Sequence, residues 1–235
     1  MKLIYSVLFS FCFHPAVFGS TALDKALPGA WTTTLEDNST AVWIITEGYF
    51  SIAYYHSSKP EFLYTEGGLW AVDNGKIELT WEFHTGNSEL VGQKKISAMS
   101  IKGNVLEIET RKWNRMDDGT PGALPGAWLI TGRKINDQMN TITPGARKTM
   151  KILSGTRFQW IAYNSETGDF FGTGGGHYTT ENGKYTEHID FFSRDNSRVG
   201  AALEFDFKKD EDRNWHHSGL SSKGKAIYEV WSIRK

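Results

Sequence analysis

The 235-residue chain has one cysteine, Cys12, only six prolines, and almost no net charge, with 26 basic side chains against 27 acidic ones. Each shortage excludes something. A single thiol rules out a disulfide framework and any paired-cysteine metal or redox motif, so the fold must be held by core packing. Charge that cancels, and gathers nowhere, provides no basic face for nucleic acid and no polybasic stretch for an anionic membrane surface. Gly-x-Ser-x-Gly is missing, and no two histidines stand at a His-x-x-x-His spacing, which removes the signatures of common serine hydrolases and zinc enzymes. No cofactor is expected.

The amino terminus has a separate meaning. Met1-Lys2 is followed by a short apolar run, Leu3 to Phe13, and then by Val17-Phe18-Gly19, with small residues at −3 and −1 before Ser20. This is the pattern of a cleaved secretory signal, and the run is short for the ~20 residues of a membrane span. The expectation is an exported protein, periplasmic or secreted, whose mature chain has neither a thiol nor an integral membrane span.

In place of what is missing stands a duplication. Leu27-Pro28-Gly29-Ala30-Trp31 returns unchanged as Leu124-Pro125-Gly126-Ala127-Trp128, an offset of 97. Further matches follow at an offset of 108: Phe50 with Phe158, Asn74-Gly75-Lys76 with Asn182-Gly183-Lys184, Phe83 with Phe191, and Val91-Gly92 with Val199-Gly200. The jump places an 11-residue insertion between Trp128 and Phe158. Both copies read as strands. Asn74-Gly75 and Asn182-Gly183 suit two-residue hairpin turns, which need positive φ, and the strands leaving them alternate with period two, Ile77, Leu79, Trp81 and Phe83 falling on one face. About eight short strands per unit and no helix-period stretch predict an all-β protein of two tandem small antiparallel up-and-down barrels. The expected boundaries are a signal over 1–19, a first barrel over 20–116, a linker over 117–123 and a second barrel over 124–235.

Gly-x-Trp on the opening strand, a meander of hairpins and a basic residue late in each unit resemble the lipocalin-like domains of the calycin group. Gly174-Gly175-Gly176-His177-Tyr178-Thr179 and Lys184-Tyr185-Thr186-Glu187-His188-Ile189 are similar to lipocalin-like domains of secreted bacterial proteins with no settled activity. The resemblance implies that Trp31 and Trp128 pack across the closed ends of their barrels, with Arg115 and Arg234 as their basic partners. It covers nearly all of the mature chain, although each unit is shorter than a typical lipocalin.

Gly172-Thr173-Gly174-Gly175-Gly176 leads into a strand rather than a helix, so it is read as a bend or a close backbone approach and not as a phosphate cradle. Adjacent His216 and His217 face opposite sides of a strand and cannot share one metal ion. Glu187 is the sharpest residue. It matches Leu79 of the first unit and falls in phase with Tyr185, Ile189 and Phe191, placing one carboxylate on an inward apolar face where burial would raise its pKa unless Arg157, His217, Tyr178, water or a ligand compensates. A structural hydrogen bond in a filled barrel is the plainer account. Aromatic residues share that phase, and the candidate ligand-binding set is Trp160, Tyr178, Tyr185, Glu187, Trp215, His217, Glu229 and Trp231. The connection over 132–147 would then lie across the open mouth as a lid.

Three functions fit these features. The first is a binding protein holding a small apolar or aromatic molecule in the second barrel, the first barrel being structural. The second is an isomerase or lyase using Glu187 as acid or base with His217 or Tyr185. The third is a glycan-surface or interaction module with filled barrels, meeting its partner through exposed Trp113, Tyr54 and Tyr55.

Overall fold

The computed structural model describes residues 22–235 apart from Ser222, so the expected signal over 1–19 lies outside the described residues. A short helix, α1 (Ala22–Ala26), leads into eight strands: β1 (Gly29–Thr34), β2 (Thr40–Ile45), β3 (Tyr49–His56), β4 (Glu61–Asp73), β5 (Lys76–His84), β6 (Lys94–Lys102), β7 (Val105–Ile108) and β8 (Arg111–Asp117). Each pairs antiparallel with the next, and β8 returns to β1 to close the barrel. The second copy comprises β9 (Gly126–Ile135), β10 (Gln138–Thr141), β11 (Arg147–Leu153), β12 (Arg157–Asn164), β13 (Phe170–Glu181), β14 (Lys184–Phe192), β15 (Ala202–Lys209), β16 (Trp215–Leu220) and β17 (Ala226–Ile233). It closes through β9 and β17, with β10 added beside β9. The protein is therefore two closed eight-stranded antiparallel barrels in tandem.

The repeated residues do the same work twice. Asn74 and Asn182 adopt φ of 49° and 50°, followed by Gly75 and Gly183 at 74° and 77°, the hairpin geometry that the Asn-Gly pairs predict. Next to these hairpins, Gly68 and Gly176 sit at bulges where a Cβ would run into the carbonyls of Thr80 and His188. Close approach, not phosphate, accounts for the glycine run. Two 3₁₀ turns escape a period-based reading because three residues are too few to show a period. One, Ser88–Leu90, is capped by Asn87, and the other, Asn196–Arg198, by Asp195.

The closed ends differ between copies. Trp31 and Trp128 each donate from Nε1 to the carbonyl four residues back, Leu27 at 2.9 Å and Leu124 at 3.0 Å. Arg115 stacks over Trp31 at 3.9 Å and donates to the carbonyls of Ala26 and Pro28, as the resemblance implies. Arg234 does not stack on Trp128. In the ladders Trp31 faces Arg115 but Trp128 faces Ile233, so Arg234, one residue further, points to the opposite face. There it grips Glu82 of the first barrel through two bonds of 2.6 Å and lies over Tyr49, leaving Lys209 as the cation over Trp128, at 5.9 Å.

That grip belongs to a third core, lying between the barrels. Val42, Ile44, Tyr55 and Phe83 of the first copy pack on Ile152, Ile161, Tyr163 and Phe191 of the second. Equivalent residues exchange places: Tyr55 stacks on Phe191 at 5.0 Å, and their counterparts Tyr163 and Phe83 meet at 4.8 Å. Phe83 and Phe191, expected to face inward with their strands, instead cover Gly67 and Gly175 and join this outer core. The pleat parity is unchanged; β5 and β14 outrun their pairing with β6 and β15, and bend at the adjacent bulges. The stretch between barrels is also tied down. Asp117 ends β8, and its carboxylate accepts from the Ser154 hydroxyl at 2.7 Å, the Gly155 amide at 2.9 Å and the Thr156 hydroxyl at 2.6 Å. Tyr54, Tyr55 and Trp113 are all buried, so the glycan surface proposed from them does not exist as such. Each side chain is enclosed in an apolar cluster rather than presented to a partner.

Candidate functional site

Inside the second barrel, Tyr185 and Glu187 on β14, Trp215 and His217 on β16, and Glu229 and Trp231 on β17 converge, each presented inward by strand alternation. Glu187 is buried, as its phase predicts, at 5 % exposure. Its partner is a residue the sequence reading overlooked. Lys151 on β11, equally buried, places Nζ 2.7 Å from Glu187 Oε1, and the Tyr185 hydroxyl donates to the same oxygen at 2.9 Å. Four rings surround the ammonium: Trp215 at 4.9 Å, Tyr185 at 5.0 Å, Trp231 at 5.3 Å and Phe205 at 5.8 Å. A cation over several aromatic faces gains from their quadrupoles, and more so when water is excluded.

The duplication shows what this replaces. Lys151 pairs with Trp160 on β12 as Trp43 pairs with Ile52 on β3, so Lys151 stands where the first barrel has Trp43, and Glu187 stands where it has Leu79. In the first barrel Trp43 packs edge-on against Trp113 at 5.2 Å in an apolar core. Two apolar residues in one copy have become an ion pair in the other.

A second carboxylate lies towards the mouth. Glu229 Oε1 accepts from Arg133 at 2.7 Å, while its Oε2 accepts from Trp231 Nε1 at 3.2 Å and faces His217 Nδ1 at 3.5 Å. Burial alone would raise the pKa of Glu229, but His217, Lys151 and Arg133 outweigh it and hold the group at about 2. For His217, burial followed by the nearby Lys151 ammonium pushes the pKa below 6.5, against the pull of Glu229 and Glu187. The imidazole is therefore neutral at pH 7. Its Nδ1 has only the long contact to Glu229, and neither Nε2 nor Trp215 Nε1 has a hydrogen-bond partner. Among the described residues, Trp43 Nε1 in the first barrel's interior is likewise without a partner.

Both shifts point the same way with acid. The unfolded chain takes up a proton on His217 below about pH 6.5 and on Glu229 below about 4.5, while the folded chain resists both. Stability contributed by these groups is fully present above pH 6.5 and is lost progressively as pH falls towards 2. Urea unfolding across pH 8 to 3 should show a plateau and then a decline starting near 6.5, and Glu229→Gln should flatten the lower part of that decline.

The remaining predicted residues lie at the margins. Tyr178 packs on Tyr185 at 5.4 Å, but its hydroxyl is spent on the Ser154 carbonyl at 2.6 Å. Trp160 sits partly buried beside Phe192 at 5.6 Å, under Arg194. Arg157, weighed as a partner for Glu187, instead binds Asp190 at 2.9 Å. The insertion is not a structureless lid: β9 and β10 form an exposed hairpin carrying Arg133 at its base. His177 and His188 stack on each other at 4.5 Å away from His217, and among the described residues no cluster of three His, Cys, Asp or Glu side chains could hold a metal ion. A cleft of about 590 Å³ opens at the seam between the barrels, walled by both Pro-Gly pairs, Leu69 and Ile233, and touches none of the candidate residues.

Among the described residues no helix is long and apolar enough to cross a membrane. No family model and no curated protein matches the chain. Among solved structures, that of the Cpx pathway activator NlpE from Escherichia coli is similar at 13% identity over 89% of this chain and 93% of that one, with a TM-score of 0.25. A superposition that loose bears on neither fold nor function here; the barrels rest on their own strand pairing.

Proposed function

We propose that the protein is an exported binding protein that holds a small molecule with a flat or apolar body and a polar group in its second barrel, the first barrel serving as scaffold. One observation carries this. The second copy has Lys151 and Glu187 where the first has Trp43 and Leu79, sets His217 and Glu229 beside them, and leaves His217 Nε2 and Trp215 Nε1 without a hydrogen-bond partner. A buried polar group without a partner costs about 1–3 kcal/mol, so a purely structural interior gains nothing from keeping them. The contacts for such a ligand come from Tyr185, Trp215, Trp231, His217 and Glu229, with Trp160 and Tyr178 at the edges. Export rests on the leader over 1–19, and the barrels would occupy 20–116 and 124–235 around the 117–123 connection.

The acid–base reading is less well served, because Glu187 Oε1 is engaged by both Lys151 and Tyr185. Native mass spectrometry of protein purified from its own cells tests the binding reading. The parent should carry an added mass that the Lys151→Trp/Glu187→Leu double variant loses while remaining folded. Parent protein at its bare mass would sink the proposal.

A further inference from the structure

We infer that the inserted hairpin opens a site for a phosphate group in the wall of the second barrel, with Arg133 and Arg147 as the residues that grip it. The inference goes beyond the binding reading and does not rest on it.

The duplication shows how the site arises. In the first barrel β1 runs beside β2 for its whole length, from Gly29 opposite Ile45 to Thr34 opposite Thr40, so the wall is closed. In the second, β9 keeps its neighbour β11 only over residues 126–129, and from Gly132 onwards it pairs with β10 instead. The upper end of β11, from Arg147 to Thr149, is thereby paired with β12 alone. A notch of about 180 Å³ occupies the gap, walled by Ile142 and Pro144. Arg133 stands on its β9 lip and Arg147 on its β11 lip, and among the described residues no acidic side chain lines it. By the offset of 108, the first copy has Ser39 and Ala41 where the second has Arg147 and Thr149; both are fully buried, and β1 leads straight to β2 without a hairpin that could carry an Arg133.

Charge then decides the ligand. Arg147 is exposed, lies over the Phe171 ring at 4.4 Å, and has no carboxylate or hydrogen-bond partner among the described residues. A guanidinium held by its face keeps its N–H edge for an oxyanion, which it meets with two parallel bonds. Arg133 gives one N–H to Glu229 at 2.7 Å and is nearly half exposed, so most of its five donors remain. Thr149, on the inward face with Lys151, adds a hydroxyl that has no partner among the described residues. Lys148 also lines the notch, but its ammonium is turned to Ser165 at 2.8 Å, so it adds charge rather than a contact. A carboxylate has two acceptor oxygens and is satisfied by one guanidinium. A phosphate has at least three and can span both lips.

At pH 7, full-length protein is titrated with inorganic phosphate, glycerol phosphate and acetate. Binding is read from arginine Nε–H signals in ¹H–¹⁵N spectra, those of Arg133 and Arg147 being assigned with Arg133→Lys and Arg147→Lys. Both phosphates should move these two signals along one saturating curve with a dissociation constant on the order of 1 mM, and acetate should bind roughly tenfold more weakly. Arg147→Gln should weaken phosphate binding by about tenfold, and Arg147→Lys, which keeps the charge without the fork, by less. Arg111→Gln, at an exposed arginine of the first barrel, should change nothing. Arg147 touches little besides Phe171, so its variants should stay folded, as circular dichroism checks. Vesicles of phosphatidylcholine with and without phosphatidic acid identify the carrier of the phosphate. Sedimentation with the acidic vesicles that Arg147→Gln abolishes makes it a lipid head group; binding of the soluble phosphates alone makes it a small phosphorylated solute. Phosphate moving the Arg111 signal as far as that of Arg147, or Arg147→Gln binding phosphate as tightly as the parent, overturns the site. Acetate binding as tightly as phosphate overturns the choice of ligand.

Discussion

Replacing Glu187 with leucine should destabilise the protein by about 3–5 kcal/mol, whereas the double replacement Lys151→Trp/Glu187→Leu should leave it as stable as the parent or more so. The single change removes the carboxylate 2.7 Å from Lys151 Nζ and strands the ammonium in a barrel interior. Its four surrounding rings offset only part of that, since a desolvated cation–π contact is worth about 2 kcal/mol. The double change removes both charges and installs the pair the first barrel already uses, Trp43 and Leu79. Replacing a buried ion pair by packed apolar groups is commonly neutral or favourable, whereas breaking one is not. Urea unfolding at pH 7 measures both. A leucine single variant no weaker than the parent would mean that Lys151 finds another partner. A double variant as weak as the single would mean that the second barrel cannot accept the first barrel's packing.

Phe191→Ala should cost a similar amount, about 3–5 kcal/mol for a fully buried phenylalanine, although the residue lies outside the barrel whose strand carries it. Its ring stacks with Tyr55 at 5.0 Å and with Phe62 at 5.9 Å, both from the other copy. The loss therefore falls on the shared core, which is also held by Arg234 on Glu82 and by the Gln159 amide donating to Thr65 at 2.8 Å. Because that core belongs to both barrels, the parent should unfold in a single transition by fluorescence and by circular dichroism, and Phe191→Ala should shift or split it. Two separate transitions in the parent, or a loss below about 1 kcal/mol, would show that the copies stand independently.

Much of this architecture is legible in the sequence because duplication doubles every local signal. A single Asn-Gly turn is a hint; two at a fixed offset, each followed by a period-two strand, fix both the hairpins and the register. Glu187 could be placed inward on phase alone. Its partner could not, for an instructive reason: Lys151 lies between the inserted connection and Phe158, the first residue matched at the new offset, and lysine is ordinarily a surface residue. The offset of 108 from Trp43 was the available signal, and alternation with Leu153 agrees with it. Arg234 illustrates the opposite limit. The resemblance makes it the basic partner of Trp128, but a single-residue difference in register sends it to the other barrel, and contacts between copies leave no period in a sequence. Phe83 and Phe191 were lost the same way, since a bulge changes where a side chain arrives without changing its parity.

The central claim is that the second barrel keeps polar groups for an occupant that the first barrel does not have. A crystal structure of protein purified from its own cells, without unfolding, tests it most directly. The account expects density for a small molecule with one polar atom within hydrogen-bond distance of His217 Nε2 and Trp215 Nε1. Those two nitrogens packed against carbon, with nothing between them and the aromatic walls, would contradict it.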